Sequence, residues 1–311
     1  HPHTVSRQAG IHPELIMPNM EKKSQRDTIF VEDAEILLHQ SYPGEQHVLR
    51  LHAPACAAHA LPGSFAHLQC DPALPMRRPL SIMRTDPGSG WVEFLYKAVG
   101  NGTQALSRRT PGEHVNLLGP IGKPFSTDRS RPRTLLLGGG VGIPPMVFLA
   151  DSLRTDKHWQ PVVFMGSEVP FPFKAGPSRF LLPGMPDAVI ASMPLLEDWG
   201  IPSRLTSLQG YPGCHEGYIT DRARHWLDAQ DESQRAEVGV FACGPHPMLA
   251  AVAELAREYE LPCQVSLEEY MACAVGGCAG CVVEINTAAG PAMKRVCVDG
   301  PVFDARTVNW M

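Results

Sequence analysis

The sequence predicts three modules in tandem: a small antiparallel β-barrel, an α/β domain built on a parallel sheet, and a short cysteine-rich module. Three observations carry this reading. Residues 29–128 are short apolar runs cut by Gly and Pro; residues 131–262 alternate strand-length apolar runs with helical spacing; and Cys273, Cys278, Cys281 and Cys297, four of nine cysteines, crowd into one segment. A length of 311 residues suits two or three domains. With 44% hydrophobic and 19% charged residues the chain can bury real cores and is neither a disordered tail nor a coiled coil. It has no apolar run of about 18 residues, so no membrane-spanning helix is expected. A balance of 27 Lys+Arg against 32 Asp+Glu, net −5, argues against a nucleic-acid-binding protein. The odd cysteine count does not read as a disulfide framework, and scattered free thiols suggest a reducing, cytoplasmic compartment.

The elements follow in chain order. Residues 1–28 mix Pro, charge and polar groups without a period and read as a disordered extension. Strands are expected at 29–38, 47–51, 64–69, 78–84, 91–99 and 114–118, separated by turn signals at Pro43-Gly44, Pro87-Gly88, Asn101-Gly102 and Pro111-Gly112. Six short strands in so small a span suggest a barrel. Residues 128–132 read as a linker. A buried strand at 134–137 then runs into Gly138-Gly139-Gly140, and a helix at 144–154 starts on Pro144 and Pro145, residues suited to a first turn. Strands at 161–165, 188–191 and 238–243 and helices at 219–229, with Asp221 in its first turn, and 246–259 complete a parallel sheet covered by helices. Residues 263–311 hold strand-like runs at 281–286 and 295–298 but are too few for a core of their own; a structural cofactor would solve that.

The cysteine spacing is the strongest chemical signal. Cys273, four residues, Cys278, two residues, Cys281, then fifteen residues to Cys297 is the C-x4-C-x2-C…C pattern of plant-type [2Fe–2S] ligands, with a shorter final gap. Gly276, Gly277 and Gly280 let the loop wrap closely and present N–H groups to sulfur. The competing reading is a four-thiolate zinc site, although zinc favours two close cysteine pairs.

Weaker signals lie upstream. Arg78, within Arg77-Arg78-Pro79-Leu80-Ser81, offers a donor fork for pyrophosphate, and Ser81 offers a hydroxyl to a flavin edge; equally, both are ordinary strand-edge groups. Leu95-Tyr96-Lys97 can bring a ring and a cation to the same ligand, or Tyr96 can simply pack at the barrel edge. Gly102-Thr103 can turn N–H groups toward a phosphate. Gly139, Gly140 and Gly142 occupy a strand-to-helix turn where pyrophosphate could approach a helix start, though Pro145 stands where the dinucleotide fingerprint has its last glycine. Cys243-Gly244-Pro245 ends a second strand, and the two turns would face one crevice. Glu168 could accept from ribose hydroxyls and repel a 2′-phosphate, favouring NADH, or be a solvated carboxylate. Cys243 reads as a small core residue or as a thiol beside a nicotinamide.

In this order the motifs resemble the ferredoxin–NADP reductase superfamily and, within it, the electron-transfer subunits of NAD-dependent (class 1B) dihydroorotate dehydrogenases. The resemblance spans roughly residues 30 to 305 and rests on R-R-P-L-S-I (77–82), G-N-G-T (100–103), L-L-G-P-I-G (117–122), G-G-G-V-G-I-P-P (138–145), A-C-G-P (242–245) and R-V-C-V-D-G-P-V-F (295–303). It implies FAD on the barrel through Arg78, Pro79, Leu80, Ser81, Leu95, Tyr96, Lys97, Gly102 and Thr103. It implies NAD(H) at Gly139, Gly140, Gly142, Glu168, Cys243, Gly244 and Pro245, and a [2Fe–2S] cluster on the four cysteines. The superfamily often has an aromatic residue where Leu80 stands, which puts ring stacking there in doubt. The implied activity is an oxidoreductase subunit relaying electrons between NAD(H), FAD, the cluster and an FMN-containing catalytic subunit in a heterotetramer of pyrimidine biosynthesis, with no general acid or base of its own. A dihydroorotate-oxidising (β/α)8 barrel needs ~250 residues, more than these modules leave. Two other readings keep different partners or chemistry: an NAD(P)H-oxidising subunit of a hydrogenase or transhydrogenase, and a zinc-stabilised nucleotide-binding regulator.

Overall fold

The computed structural model describes residues 28–310. The extension expected at residues 1–28 therefore lies, but for Thr28, outside the described residues.

The barrel is formed by β1 (Phe30–Tyr42), β2 (Gln46–His52), β3 (Phe65–Gln69), β4 (Arg78–Asp86), β5 (Trp91–Lys97) and β6 (His114–Ile121), with α1 (Pro54–His59) after β2 and α2 (Asn101–Ser107) after β5. The strands close antiparallel in the order β1-β2-β5-β4-β3-β6. Alternation explains the closure: Ala34 and Ile36, Leu49 and Leu51, Ala66 and Leu68, Phe94 and Tyr96, and Val115 and Leu117 fill one interior. All six expected strands are present. The two short helices are additions. Glu32 accepts hydrogen bonds from the Ala55 and Cys56 N–H groups (3.0 and 2.8 Å), which satisfies the free donors at the start of α1. The Asn101-Gly102 turn signal is the first turn of α2, where Thr103 Oγ1 accepts from the Val99 and Gly100 N–H groups (3.1 and 3.2 Å).

The second part runs through β7 (Arg133–Gly139), a 3-10 turn at Gly140–Gly142, α3 (Ile143–Leu153), β8 (Gln160–Gly166), β9 (Gly176–Pro177), β10 (Ala191–Ser192), α4 (Pro194–Asp198), β11 (Ser203–Ser207), β12 (His215–Glu216), α5 (Ile219–Asp228), α6 (Glu232–Ala236), β13 (Val238–Cys243), α7 (His246–Glu258) and β14 (Cys263–Ser266). A hairpin of β15 (Val282–Thr287) and β16 (Gly290–Arg295), then β17 (Val302–Asp304), complete the chain. The main sheet has the order β12-β11-β8-β7-β13-β14-β17, parallel except for β17. Leu136 and Val163 face α3, through Met146, Val147 and Ala150; Leu135, Leu137 and Phe164 face α5 and α7, through Ala223, Trp226, Val252 and Leu255. Strands buried on both faces explain the unbroken apolar run at 135–137.

Two strand expectations are corrected. Residues 188–191 do not join the main sheet: Ala191–Ser192 pairs with Gly176–Pro177 in a separate two-strand ladder. The sheet position belongs to β11, whose sequence S-R-L-T-S looks polar yet is wholly buried. Burial is possible because the Arg204 guanidinium donates to the carbonyls of Val189 (2.8 Å), Ser203 (2.7 Å) and Phe180 (2.6 Å), so its polar atoms are satisfied inside the fold. Residues 295–298 are likewise not a strand. β16 stops at Arg295 and the chain turns, with the Asp299 carboxylate accepting from the Arg295 N–H (2.8 Å).

The cysteine-rich segment is stitched into the sheet at both ends, because β14 pairs parallel with β13 and β17 pairs antiparallel with β14.

Candidate cofactor sites

Between β14 and β15 the chain has no helix or strand, and here Cys273, Cys278 and Cys281 lie. Ala274 (φ 57°), Gly276 (φ 80°) and Ala279 (φ 52°) adopt the left-handed conformation. Two non-glycine residues in that region within one loop mark a backbone bent for a purpose. The bends turn N–H groups inward. Cys278 N–H donates to Cys273 Sγ and Gly280 N–H to Cys278 Sγ, both at 3.4 Å. Burial pushes the Cys273 thiol up, but hydrogen bonds from the Val275, Cys278 and Gly277 main chain and the Cys278 side chain outweigh it and bring the pKa down to about 7. Cys297 goes the other way, to about 12, through burial and then its contact with the Cys281 thiol.

The Cys278 side chain lies within hydrogen-bonding reach of Cys273 and the Cys281 side chain within reach of Cys297, and the Cys273 charge is also felt at Cys297. Four thiolates, three of them in one loop whose N–H groups turn toward sulfur, suit a two-iron cluster. Cys278 is exposed while Cys281 and Cys297 are buried, so the site opens to solvent on one side.

On the barrel, Arg78 begins β4, and its guanidinium lies across the first turn of α2. A Cβ at Gly102 would stand 2.7 Å from Arg78 Nε and 2.9 Å from Cζ, so only glycine permits that approach. Arg78 Nη1 donates to the carbonyls of Met76 (2.9 Å) and Arg77 (3.1 Å). Pro79 and Ser81 lie opposite His67 and Phe65 of β3, while Leu80 packs into the barrel core. The neighbours in β5 diverge. Leu95 packs outward against the α/β domain, Lys97 is exposed, and the Tyr96 ring is inside the barrel, stacked on His47 (centroids 5.1 Å apart) with its hydroxyl on His39 Nε2 (2.9 Å). The Tyr96 ring is thus not presented at the surface. Thr103 is buried in the start of α2.

The two expected turns of the α/β domain meet. β7 and β13 are adjacent, with Gly138 paired to Cys243. A Cβ on Gly142 would lie 2.3 Å from the Cys243 carbonyl carbon and oxygen and 2.5 Å from Gly244 N; one on Gly139 would lie 2.4 Å from Met248 Sδ and 3.2 Å from Pro245 Cδ. Gly140 takes φ 55° with open space beside it. Backbone meets backbone at the carboxyl ends of β7 and β13, with α3 and α7 starting just beyond, the position at which open α/β sheets bind nucleotides. Glu168 lies two residues past β8, exposed. Cys243 is fully buried; burial raises its thiol well above the usual range, and the thiol stands 3.9 Å from Glu268 Oε1.

Glu268 is a residue that motif reading missed. The residue as a whole is exposed, its Oε1 stands 3.9 Å from Cys243 Sγ, and loss of water around the carboxyl pushes its pKa up to about 7. The signal was an acidic pair, Glu268-Glu269, just before the cysteine loop. His67 was also missed. Its ring is fully buried with neither nitrogen hydrogen-bonded, facing the main chain of Met271 and Arg77, and burial lowers its pKa to about 4. It sits where the barrel meets the cysteine loop.

Residues 268–309 match the iron–sulfur cluster binding domain of dihydroorotate dehydrogenase B. Over 282 residues the chain is 31% identical to the dihydroorotate dehydrogenase B (NAD(+)) electron transfer subunit of Desulforamulus reducens, covering 89% of this chain and 98% of that protein. The chain belongs to this family. The member from Bacillus caldolyticus is 35% identical over 256 residues, covering 79% of this chain and 86% of that protein. Family membership agrees with the barrel, the parallel sheet and the cysteine loop described above. Among solved structures, an NADH-dependent reduced ferredoxin-NADP oxidoreductase shares the fold with a TM-score of 0.72 at 24% identity, covering 90% of each chain. Phthalate dioxygenase reductase shares it with a TM-score of 0.53 at 14% identity, covering 88% of this chain and 78% of that one.

Proposed function

We propose that this chain is the electron-transfer subunit of an NAD-dependent dihydroorotate dehydrogenase, relaying electrons between NAD(H), FAD and a [2Fe–2S] cluster and exchanging them with an FMN-containing catalytic subunit in a cytoplasmic heterotetramer. The observation that carries it is the loop of Cys273, Cys278 and Cys281, whose N–H groups turn toward sulfur, joined through β14 to the sheet whose strand ends carry the glycine turn. Flavin is the group that can accept a hydride and release single electrons, which an iron–sulfur cluster and a nicotinamide cannot do for each other directly.

The chain's residues bind and orient. Arg78 lends a donor fork to the flavin pyrophosphate, with the start of α2 at Gly102 and Thr103. Pro79 and Ser81, with the main chain of Leu80, Leu95, Tyr96 and Lys97, would border the flavin. Gly139, Gly140 and Gly142 admit the nucleotide pyrophosphate to main-chain N–H groups, opposite Cys243, Gly244 and Pro245. Glu168, exposed at the end of β8, suits ribose hydroxyls and disfavours a 2′-phosphate. None of these residues acts as a general acid or base. Among the described residues no helix is long and apolar enough to cross a membrane.

The test is anaerobic purification with iron, sulfide and flavin analysis, followed by co-expression with an FMN-containing dihydroorotate-oxidising subunit. Equal iron and sulfide, bound flavin, and dihydroorotate-dependent NAD reduction by the complex are expected. A colourless protein containing zinc overturns the cluster. Bound cofactors with no coupling to that subunit, but coupling to a hydrogenase or a second nucleotide-oxidising subunit, overturn the partner.

A further inference from the structure

Arg295 ends β16 two residues before Cys297, and its side chain turns back over the cysteine loop. Nη1 donates to the carbonyl of Gly276 at 2.9 Å, tying the stretch between Cys273 and Cys278 to the turn that carries Cys297. The residue is tied through both its main chain and its side chain. Its N–H and Nε both donate to Asp299 Oδ2 (2.8 and 3.2 Å), and its carbonyl accepts from the N–H groups of Val298 (3.3 Å), Asp299 (2.8 Å) and Gly300 (3.3 Å). Gly276 makes the approach possible: a Cβ there would stand 3.2 Å from Arg295 Nη1 and 3.0 Å from Val298 Cγ2.

A clamp alone would need a donor but not a charge. A cluster of two ferric ions, two sulfides and four thiolates is a dianion, and one added electron makes it a trianion. A fixed cation at its edge therefore stabilises the reduced form more than the oxidised one, and charge and hydrogen bonding near the sulfurs are what set such potentials. Asp299 holds the Nε edge of the same guanidinium and cancels part of its field. We propose that Arg295 raises the reduction potential of the cluster held by Cys273, Cys278, Cys281 and Cys297, and that Asp299 limits how far. This rests on the cluster reading given above.

The experiment is an anaerobic dithionite titration of the full-length, cofactor-loaded protein with redox mediators, read by the electron paramagnetic resonance signal of the reduced cluster. Dithionite gives one electron, the cluster gains it, and no bond is made or broken. Arg295→Gln, which keeps a donor but loses the charge, is expected to shift the reduction equilibrium about three- to tenfold toward the oxidised form, roughly 30–60 mV for a one-electron couple. Arg295→Lys should stay within about twofold of the unaltered protein, and Asp299→Asn should shift the other way. Arg295→Gln with full cluster content and an unchanged potential overturns the proposal, as does a shift of equal size and sign in Arg295→Lys. If Arg295→Gln fails to hold the cluster, Asp299→Asn decides: an unchanged or lowered potential overturns it. Absence of the signal from the unaltered protein would instead remove the cluster reading itself.

Discussion

Gly142→Ala is the sharpest test of the nucleotide crevice. Gly142 has φ −83°, which any residue can adopt, so the substitution adds no backbone strain and acts only through volume. The new methyl would stand 2.3 Å from the Cys243 carbonyl carbon and oxygen and 2.5 Å from Gly244 N, all main-chain atoms that cannot rotate away. The turn after β7 and the turn after β13 must separate. Overpacking of this kind costs about 1–3 kcal/mol, which lowers the unfolding midpoint of the α/β domain by roughly 3–10 °C. The crevice loses more than stability, because the displaced groups are the ones proposed to meet the pyrophosphate; NADH affinity is expected to fall about tenfold or more, as small misplacements at such sites do. Calorimetry reads the first effect, and the NADH dependence of flavin reduction in stopped flow reads the second. Gly200→Ala is the control. It has open space around its Cβ but φ 76°, so it carries left-handed strain of about 1–2 kcal/mol away from the two turns. If Gly142→Ala keeps both midpoint and NADH affinity, or if Gly200→Ala weakens NADH as much, the two turns do not form the nucleotide site.

Cys281→Ser removes one member of a buried thiol pair, and cluster absorbance should disappear while NADH-dependent dye reduction at the flavin persists; loss of both together would show that the modules do not work separately. Arg78→Ala should raise the FAD dissociation constant about 10–100-fold, the worth of a charge-assisted hydrogen bond or two, with NADH binding changed less; unchanged flavin content after gel filtration would contradict the site. Glu268, protonated below about pH 7 and anionic above, should favour NAD+ over NADH progressively as pH rises through 7, measured by dissociation constants at pH 6 and 8, and Glu268→Gln should flatten that dependence. Because its folded pKa lies above the ordinary carboxyl value, the stability linked to Glu268 is greatest at low pH and is lost as pH rises through about 7; thermal midpoints of the Gln variant should lack that fall.

What the sequence revealed depended on whether a residue's role was written in its neighbours. Short apolar runs cut by Gly and Pro exposed the barrel, and the cysteine loop was legible from spacing alone. β11 was not, because its polar residues are satisfied by partners distant in sequence, such as the Phe180 and Val189 carbonyls on Arg204. Tyr96 is a subtler case. Leu95 and Tyr96 are both apolar, so no alternation shows which faces inward; strand parity with Phe94 decides it, and the ring goes to the core. Glu268 and His67 escaped for a common reason: each meets a different module, at Cys243 and at Met271, and a single sequence shows no such junction. Arg295 escaped because its partner, the Gly276 carbonyl, is main chain and nineteen positions away.

Those junctions bear on function. Phe65 and Ile121 of the barrel, Leu135, Leu137 and Val240 of the sheet, and Met271, Ala274, Cys281 and Cys297 of the cysteine loop share one buried apolar cluster. The end of the barrel is also tied to the turn before β17: Lys123 N–H donates to the Gly300 carbonyl (2.6 Å), and Gly122 packs so closely on Pro301 that a Cβ would stand 2.4 Å from its Cδ. A close-packed interior does not deform continuously, so the spacing between the proposed flavin and nucleotide sites and the cysteine loop is set by core packing and not by linkers. The segment at 128–132 that reads as a linker crosses only one edge of this arrangement. With the cofactors at the proposed sites, electron relay would cross a fixed arrangement, and the exposed Cys278 side of the loop is the face proposed to meet the partner.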